Sequence, residues 1–103
     1  MIKKSPLAPT SFPKLPIIGG VEFATAAAGI KYFDRLDVML ASIAPGSTVA
    51  GVFTRSATRA ACVLDCQSKI GGDTSCGAAI LVNSGNANAF TGKTGQESVN
   101  RIC

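Results

Sequence analysis

The fold of this chain is decided by residues 77–95, which read GAAILVNSGNANAFTGKTG. The first part, Gly77 to Val82, is a short apolar run between turn residues and predicts a buried strand. Asn83 to Gly95 is rich in glycine and asparagine, which accept left-handed backbone, and predicts a loop. From Gln96 onward the sequence predicts a helix. This order of strand, loop and helix presents backbone N–H groups to an anion, so the loop is the first candidate for chemistry.

The segments upstream of this stretch predict three more strands and a helix. The strands are Val21 to Ile30, Asp37 to Ala44 and Thr48 to Thr54. The alanine run Ala26–Ala28 leaves a helix open for the first, while Pro45-Gly46 before the third predicts a β-hairpin or meander. Ser56 to Ile70 predicts a helix that stops at Gly71-Gly72. Because the apolar runs are apolar on both faces, we expect an α/β fold with a layered sheet covered by helices.

Two parts of the chain differ in composition. Residues 1–16 contain four prolines and predict an extended arm that lies along another part of the protein, and residues 17–103 predict a partial α/β domain. The chain has 103 residues, 47% of them hydrophobic and 16% charged, so it is more apolar than an average domain. We therefore expect it to bury surface against more polypeptide than it contains.

The charge pattern argues against several classes of partner. The net charge is +4, but the basic residues are scattered and do not form a stripe with stacking aromatics, so nucleic-acid binding is not expected. Apolar runs are far shorter than a membrane span, and no secretory signal is recognisable. The sequence therefore predicts a cytoplasmic protein with no membrane partner.

The cysteines do not have the spacing of a metal site. They are Cys62, Cys66, Cys76 and Cys103. There is no histidine, and the paired C-x2-C knuckles of a structural zinc site are missing. Without a secretory signal, disulfides are not expected either. We predict free thiols and no bound metal.

A nucleotide-binding P-loop is a first hypothesis for the candidate loop. Gly92-Lys93-Thr94 matches the end of the pattern G-x-x-x-x-G-K-S/T. The first glycine would then fall at position 87, which is Ala87, and Gly85 comes two positions too early. The count argues against a P-loop. The residues alone leave open a carboxylate or oxyanion site, and equally a turn whose asparagines only cap backbone groups.

The loop also carries a resemblance to a known family. Asn83 to Gly92 resembles the signature of the ornithine acetyltransferase (glutamate N-acetyltransferase) family of arginine biosynthesis. Further blocks that resemble the family are Ala27–Lys31 with Arg35–Val38, and Val49–Thr54 with Ala60-Ala61. Their order and spacing also fit. Cys62 departs from the family, which often has proline there, and little effect is expected.

The resemblance implies an acyl transfer through a covalent intermediate. The family moves an acetyl group from N-acetylornithine to glutamate, and some members accept acetyl-CoA; no other cofactor is implied. A precursor cleaves itself ahead of a threonine, which becomes an N-terminal nucleophile activated by its own amine, and this implies an N-terminal nucleophile-like fold. The oxyanion hole corresponds here to the Thr91 hydroxyl and the Gly92 N–H.

The family's nucleophile and cleavage motif have no counterpart in these 103 residues. The resemblance implies that they and the substrate contacts lie further along the precursor. The chain is therefore expected to be the N-terminal part of the first (alpha) chain, inactive alone. Its partner would be the second chain, in a heterotetramer. The alternative is a non-catalytic domain that keeps the loop without the chemistry.

Several charged residues outside the signature also have two interpretations. Lys31, Arg35 and Asp37 are candidates for contacts with substrate carboxylates, but a salt-bridge cluster at a strand end is the favoured interpretation. Lys93 either attracts an acidic substrate or is a solvated loop lysine.

Overall fold

A computed structural model describes residues 3–103. Three strands and two helices follow one another as β1 (Val21–Ala26), β2 (Val38–Ile43), α1 (Ala61–Lys69), β3 (Ala78–Asn83) and α2 (Gly92–Ile102). The α/β class predicted from the sequence is confirmed. Residues 3–20 contain no helix or strand, and the division into an arm and a domain stays a prediction.

The strands form one antiparallel sheet in the order β1-β2-β3. Ala26 at the end of β1 pairs with Val38 at the start of β2, and Val38 pairs with Asn83 at the end of β3. The last residue of β1, the first of β2 and the last of β3 therefore lie side by side at one end of the sheet. The candidate loop leaves the sheet at this end.

The helices pack against each other. In residues 3–103, neither helix packs on the sheet. The buried residues at the helices are small: Ala61 of α1, and Gly95 and Val99 one turn apart on α2. Small side chains at this spacing allow two helices to approach closely. The helix pair thereby fixes the start of α2, to which the candidate loop leads.

The expectation of a layered sheet covered by helices is wrong for the two helices described here, which do not pack on the sheet. Phe23 is 67% exposed, Leu40 41% and Ile80 45%. The strand predicted as buried from Gly77 begins at Ala78, and most of its residues are exposed. The apolar pattern was interpreted correctly as sheet. In residues 3–103, the two helices pack on each other and leave the sheet uncovered.

The predicted strand at Thr48 to Thr54 and its hairpin are also wrong. These residues are neither strand nor helix. The turn at Pro45-Gly46 forms as predicted, but β2 already pairs with β1 on one side and with β3 on the other, so neither side is free. Within the turn, the Gly46 N–H donates to the Thr74 carbonyl at 2.9 Å, and the chain then leaves the sheet.

The other local predictions agree with the structure to within a few residues. The predicted helix at Ser56 to Ile70 is α1, which ends ahead of Gly71-Gly72. The second helix begins at Gly92, earlier than the predicted Gln96, so the loop is shorter than predicted. In the described part of the chain, no helix is long and apolar enough to cross a membrane.

Candidate functional site

Asp37 holds the end of the sheet from which the candidate loop emerges. Its side chain is 4% exposed and accepts the backbone N–H groups of Ala28 at 2.6 Å and Ile30 at 2.7 Å. These two donors stabilise the carboxylate and lower the pKa of Asp37 below its ordinary value. The Asp37 backbone pairs on both sides, donating to the Ala26 carbonyl and accepting from Ser84 N–H. β1 ends at Ala26, short of the predicted Ile30, where this network takes over.

The segment that Asp37 holds packs against the first residues of the candidate loop. Gly85 has φ +102°, and a Cβ built on it would lie 2.8 Å from the Lys31 Cβ. Glycine therefore satisfies two demands at this position, a left-handed backbone and a close approach. On the same side, the Arg35 guanidinium lies 4.1 Å from the centre of the Tyr32 ring and reaches the Ser84 hydroxyl at 3.5 Å.

The salt-bridge cluster predicted for Lys31, Arg35 and Asp37 is wrong. Asp37 is bound by backbone N–H groups, and the two cations lie against Tyr32, with the Lys31 ammonium 5.6 Å from the ring centre. Among residues 3–103, the ion pair that forms is Asp65–Lys69 on α1. The segment following β1 can satisfy the Asp37 carboxylate without a cation because its N–H groups have left the strand ladder.

Asparagines bind the backbone inside the loop. The Asn86 side-chain oxygen accepts the Asn88 N–H at 3.0 Å, and the Asn83 amide reaches the Asn86 carbonyl at 3.4 Å. Asn88 and Phe90 both have positive φ, near 54° and 55°. Asparagine tolerates this conformation, whereas a bulky aromatic residue rarely adopts it. The loop turns sharply here and delivers Thr91 to the start of α2.

Thr91 and Gly92, the two residues to which the resemblance assigns an oxyanion hole, begin α2. The Thr91 hydroxyl oxygen lies 2.9 Å from the Asn88 carbonyl and 3.2 Å from the Asn88 side-chain oxygen. No side chain caps the helix, and its first turn has no acid. Within the described residues, the N–H groups of Gly92, Lys93 and Thr94 have no backbone or side-chain acceptor. A hydroxyl and free N–H groups are thus together at a positive helix end.

This helix start borders an open cavity of about 250 Å³. Thr91, Gly92 and Phe90 line one side, and residues at the start of α1 line the other, including Arg59 and Ala61. The first turn of α1 also has no acid, and Ala60 provides no side-chain cap. The Arg59 guanidinium donates to the Gln67 side chain at 3.1 Å. Both helix starts and an arginine therefore border one cavity, an arrangement that favours a negative charge.

Sequence reasoning did not identify the second wall of this cavity. The only local signal was an α1 start without a capping side chain or a first-turn acid, and such helix starts are common. The helix pairing that joins Ala61 to the turn at Thr91 is a tertiary contact. All four cysteines are free thiols, and the described residues contain no group of three or more His, Cys, Asp or Glu side chains that could hold a metal ion, so the prediction of no bound metal stays a prediction.

Comparison with known proteins identifies relatives along most of the chain. The family model described as the ArgJ family matches residues 22–103. Three relatives bear the name arginine biosynthesis bifunctional protein ArgJ. The protein of Ruegeria pomeroyi is 65% identical over 100 residues, which is 97% of this chain and 24% of the relative. That of Nitrobacter winogradskyi is 57% identical over 96 residues, 91% of this chain and 23% of the relative.

The third, from Bradyrhizobium diazoefficiens, is 54% identical over 94 residues, 91% of this chain and 22% of the relative. The chain thus spans less than a quarter of the length of these curated relatives. No solved structure matches it.

Proposed function

This chain belongs to the ArgJ family, and on that premise we propose that it supplies the oxyanion hole of an acetyltransferase. The enzyme moves an acetyl group from N-acetylornithine to glutamate. The acetyl group passes to the hydroxyl of a threonine, ornithine leaves, and the glutamate amine then takes the acetyl group from the threonine ester. Both steps create a tetrahedral carbon with a negatively charged oxygen, and the role of this chain is to stabilise that oxygen.

One observation carries the proposal: the Thr91 hydroxyl and the free Gly92 N–H are neighbouring groups at the wall of the same cavity. Acyl transfer is accelerated most by donors that are already in place where negative charge develops. A backbone N–H is such a donor because the main chain holds it in place, here in the turn from Thr91 into Gly92, whose φ is +55°. The absence of acids in the first turns of α1 and α2 supports the same role.

The Thr91 hydroxyl has to give up an existing hydrogen bond before it can donate to the oxyanion. In the structure the hydroxyl donates to the Asn88 carbonyl. An oxyanion is a stronger acceptor than a neutral carbonyl, since hydrogen bonds to charged groups are shorter and about twice as strong. The hydroxyl turns its proton toward the oxyanion as charge develops. The interaction is therefore made in the transition state and lowers the barrier rather than tightening ground-state binding.

The remaining parts of the site belong, in this proposal, to the rest of the protein. They are the nucleophilic threonine with its free amine, and the residues that contact substrate. Family membership supports a second chain from the same precursor, a heterotetramer, an N-terminal nucleophile-like fold and a cytoplasmic location, with acetyl-CoA as an alternative donor. The exposed side chains of Phe23, Leu40 and Ile80 support a further layer over the sheet, because apolar faces of this kind are normally buried.

A chimera tests the proposal. This chain replaces the matching segment of the Ruegeria pomeroyi relative, with which it shares 65% identity. Transfer of acetyl from N-acetylornithine to glutamate is then measured for the chimera and for its Thr91→Ala variant. We expect turnover from the first and a loss of about 10² to 10³-fold from the second.

The matched control for the chimera is Thr48→Ala, the same substitution at an exposed threonine. We expect it to leave turnover unchanged. Unchanged turnover in Thr91→Ala, or an inactive chimera, contradicts the proposed role.

A further inference from the structure

The Thr91 hydroxyl lies close to two residues that the proposed chemistry does not use, Asn88 and Gly95. Asn88 approaches it with two acceptors, the backbone carbonyl at 2.9 Å and the side-chain oxygen at 3.2 Å. Gly95 lies one turn along α2 and is buried, and a Cβ built on it would meet the Thr91 hydroxyl oxygen and would lie 3.2 Å from the Asn88 side-chain oxygen. The hydroxyl is thus bounded by the loop before the helix and by the helix itself.

The Gly95 carbonyl favours one orientation of the Asn88 amide. The Asn88 side-chain nitrogen reaches the Gly95 carbonyl at 3.5 Å, so the oxygen is the atom that faces Thr91. The reverse orientation would bring two oxygens together at Gly95. Asn88 is half-buried and its backbone is left-handed, a conformation for which asparagine is well suited.

Gly95 provides the space that the hydroxyl occupies. A Cβ built on Gly95 would collide with the Thr91 hydroxyl oxygen and lie 2.8 Å from the Thr91 Cβ. Glycine is a poor helix former compared with alanine, and this one lies inside a helix. Its contact with Thr91 gives a reason for glycine at this position: any side chain would displace Thr91.

We infer that Asn88 and Gly95 are positioning residues that together hold the Thr91 hydroxyl in place for the oxyanion. This inference rests on the proposed function, in which Thr91 is one of the two donors. A threonine side chain at an exposed helix start has more than one rotamer available. The two acceptors of Asn88 and the space left by Gly95 together select one of them. The hydroxyl oxygen is then already in position, and only its proton has to turn toward the oxyanion when charge develops.

The first test is Gly95→Ala in the chimera described above. Displacement of the hydroxyl removes one oxyanion donor, so we expect kcat to fall about 10²-fold, with KM changed less than about twofold, because the interaction is made in the transition state. The matched control is Gly19→Ala, which introduces the same methyl group where nothing lies within 4 Å. We expect the control to have the turnover of the unmodified chimera.

The second test is Asn88→Gly, which accepts the left-handed backbone and keeps the carbonyl while removing the side-chain oxygen. We expect kcat to fall about tenfold, the upper range for one neutral hydrogen bond. Asn100→Ala is the control, since Asn100 is an exposed asparagine on α2 whose side chain pairs with Gln96. We expect it to keep full turnover.

Double mutants separate positioning from a general structural role. If both residues act through Thr91, their substitution has little further effect once the hydroxyl is gone. We expect Asn88→Gly to change kcat less than about twofold in a Thr91→Ala background, and Gly95→Ala likewise in a Thr91→Gly background, where the collision is also relieved. If the effects of the two substitutions on kcat multiply in full in the double mutants, the inference is wrong.

The outcomes also distinguish the inference from the function on which it depends. If Thr91→Ala loses turnover while Gly95→Ala and Asn88→Gly keep it, the inference fails and the proposed function stands. If Thr91→Ala keeps turnover, the proposed function fails, and the inference fails with it.

Discussion

The Asp37 carboxylate accepts the backbone N–H of Ile30 at 2.7 Å. A second bond of the same kind comes from Ala28, so one side chain holds the segment that follows β1. That segment packs through Lys31 on Gly85, the third residue of the family signature. The loop that carries Thr91 is therefore supported at its base by a buried acid on a neighbouring strand end. This support makes the stability of the loop dependent on residues far from it in the sequence.

Replacement of Asp37 by asparagine removes much of this support. An asparagine oxygen can accept one of the two N–H groups, but its NH2 group would face the other, leaving a buried donor without an acceptor. We expect the melting temperature of the chain to fall by roughly 5–10 °C, measured by circular dichroism. Asp34→Asn is the control, because Asp34 is exposed. Equal melting temperatures for the two variants would argue against an anchoring role.

The contribution of Asp37 should also depend on pH. Its pKa is lower in the folded chain than the value of 3.8 expected when it is unfolded. The stabilisation is therefore fully present above that value and is lost as pH falls through the folded pKa. We expect the difference in melting temperature between the unmodified chain and Asp37→Asn to shrink as pH falls from about 5 to below the unfolded value of 3.8. Asp73, whose pKa is also lowered, is present in both chains and cancels in the difference. A constant difference over this range would exclude the carboxylate as the cause.

Much of what the sequence predicts correctly here is local. Pro45-Gly46 forms a turn, and the glycine-rich and asparagine-rich stretch connects a strand to a helix, because these preferences depend on a residue and its near neighbours. The strand expected at Thr48 to Thr54 fails for a nonlocal reason: β2 is already paired on both sides. The hydrogen-bond partners of Asp37 could not be predicted either. The sequence does not distinguish a carboxylate that accepts backbone N–H groups from one that forms a salt bridge with Lys31.

Gly85→Ala tests whether the loop depends on its contact with Lys31. The new Cβ would lie 2.8 Å from the Lys31 Cβ, at a position with φ +102°. We expect a loss of about 1–3 kcal/mol in the free energy of unfolding, measured by urea titration. Gly46→Ala is a matched control, because Gly46 has φ +79° and nothing lies within 4 Å of its Cβ position. The larger loss should belong to Gly85→Ala. Equal losses of unfolding free energy in the two variants would mean that the positive φ alone, and not the contact with Lys31, causes the destabilisation.

The chain by itself should not transfer acetyl groups. Its proposed contribution is the Thr91 hydroxyl and the Gly92 N–H, and donors of this kind stabilise an oxyanion only after a nucleophile has attacked the acetyl carbon. In the proposed function, that nucleophile is a threonine freed by self-cleavage in another part of the precursor. We expect no N-acetylglutamate when the purified chain is mixed with N-acetylornithine and glutamate, while the chimera with the Ruegeria pomeroyi relative produces it. Turnover by the chain alone that disappears in Thr91→Ala would show that it contains a complete site, and would require Thr91 to be reassigned from oxyanion donor to nucleophile.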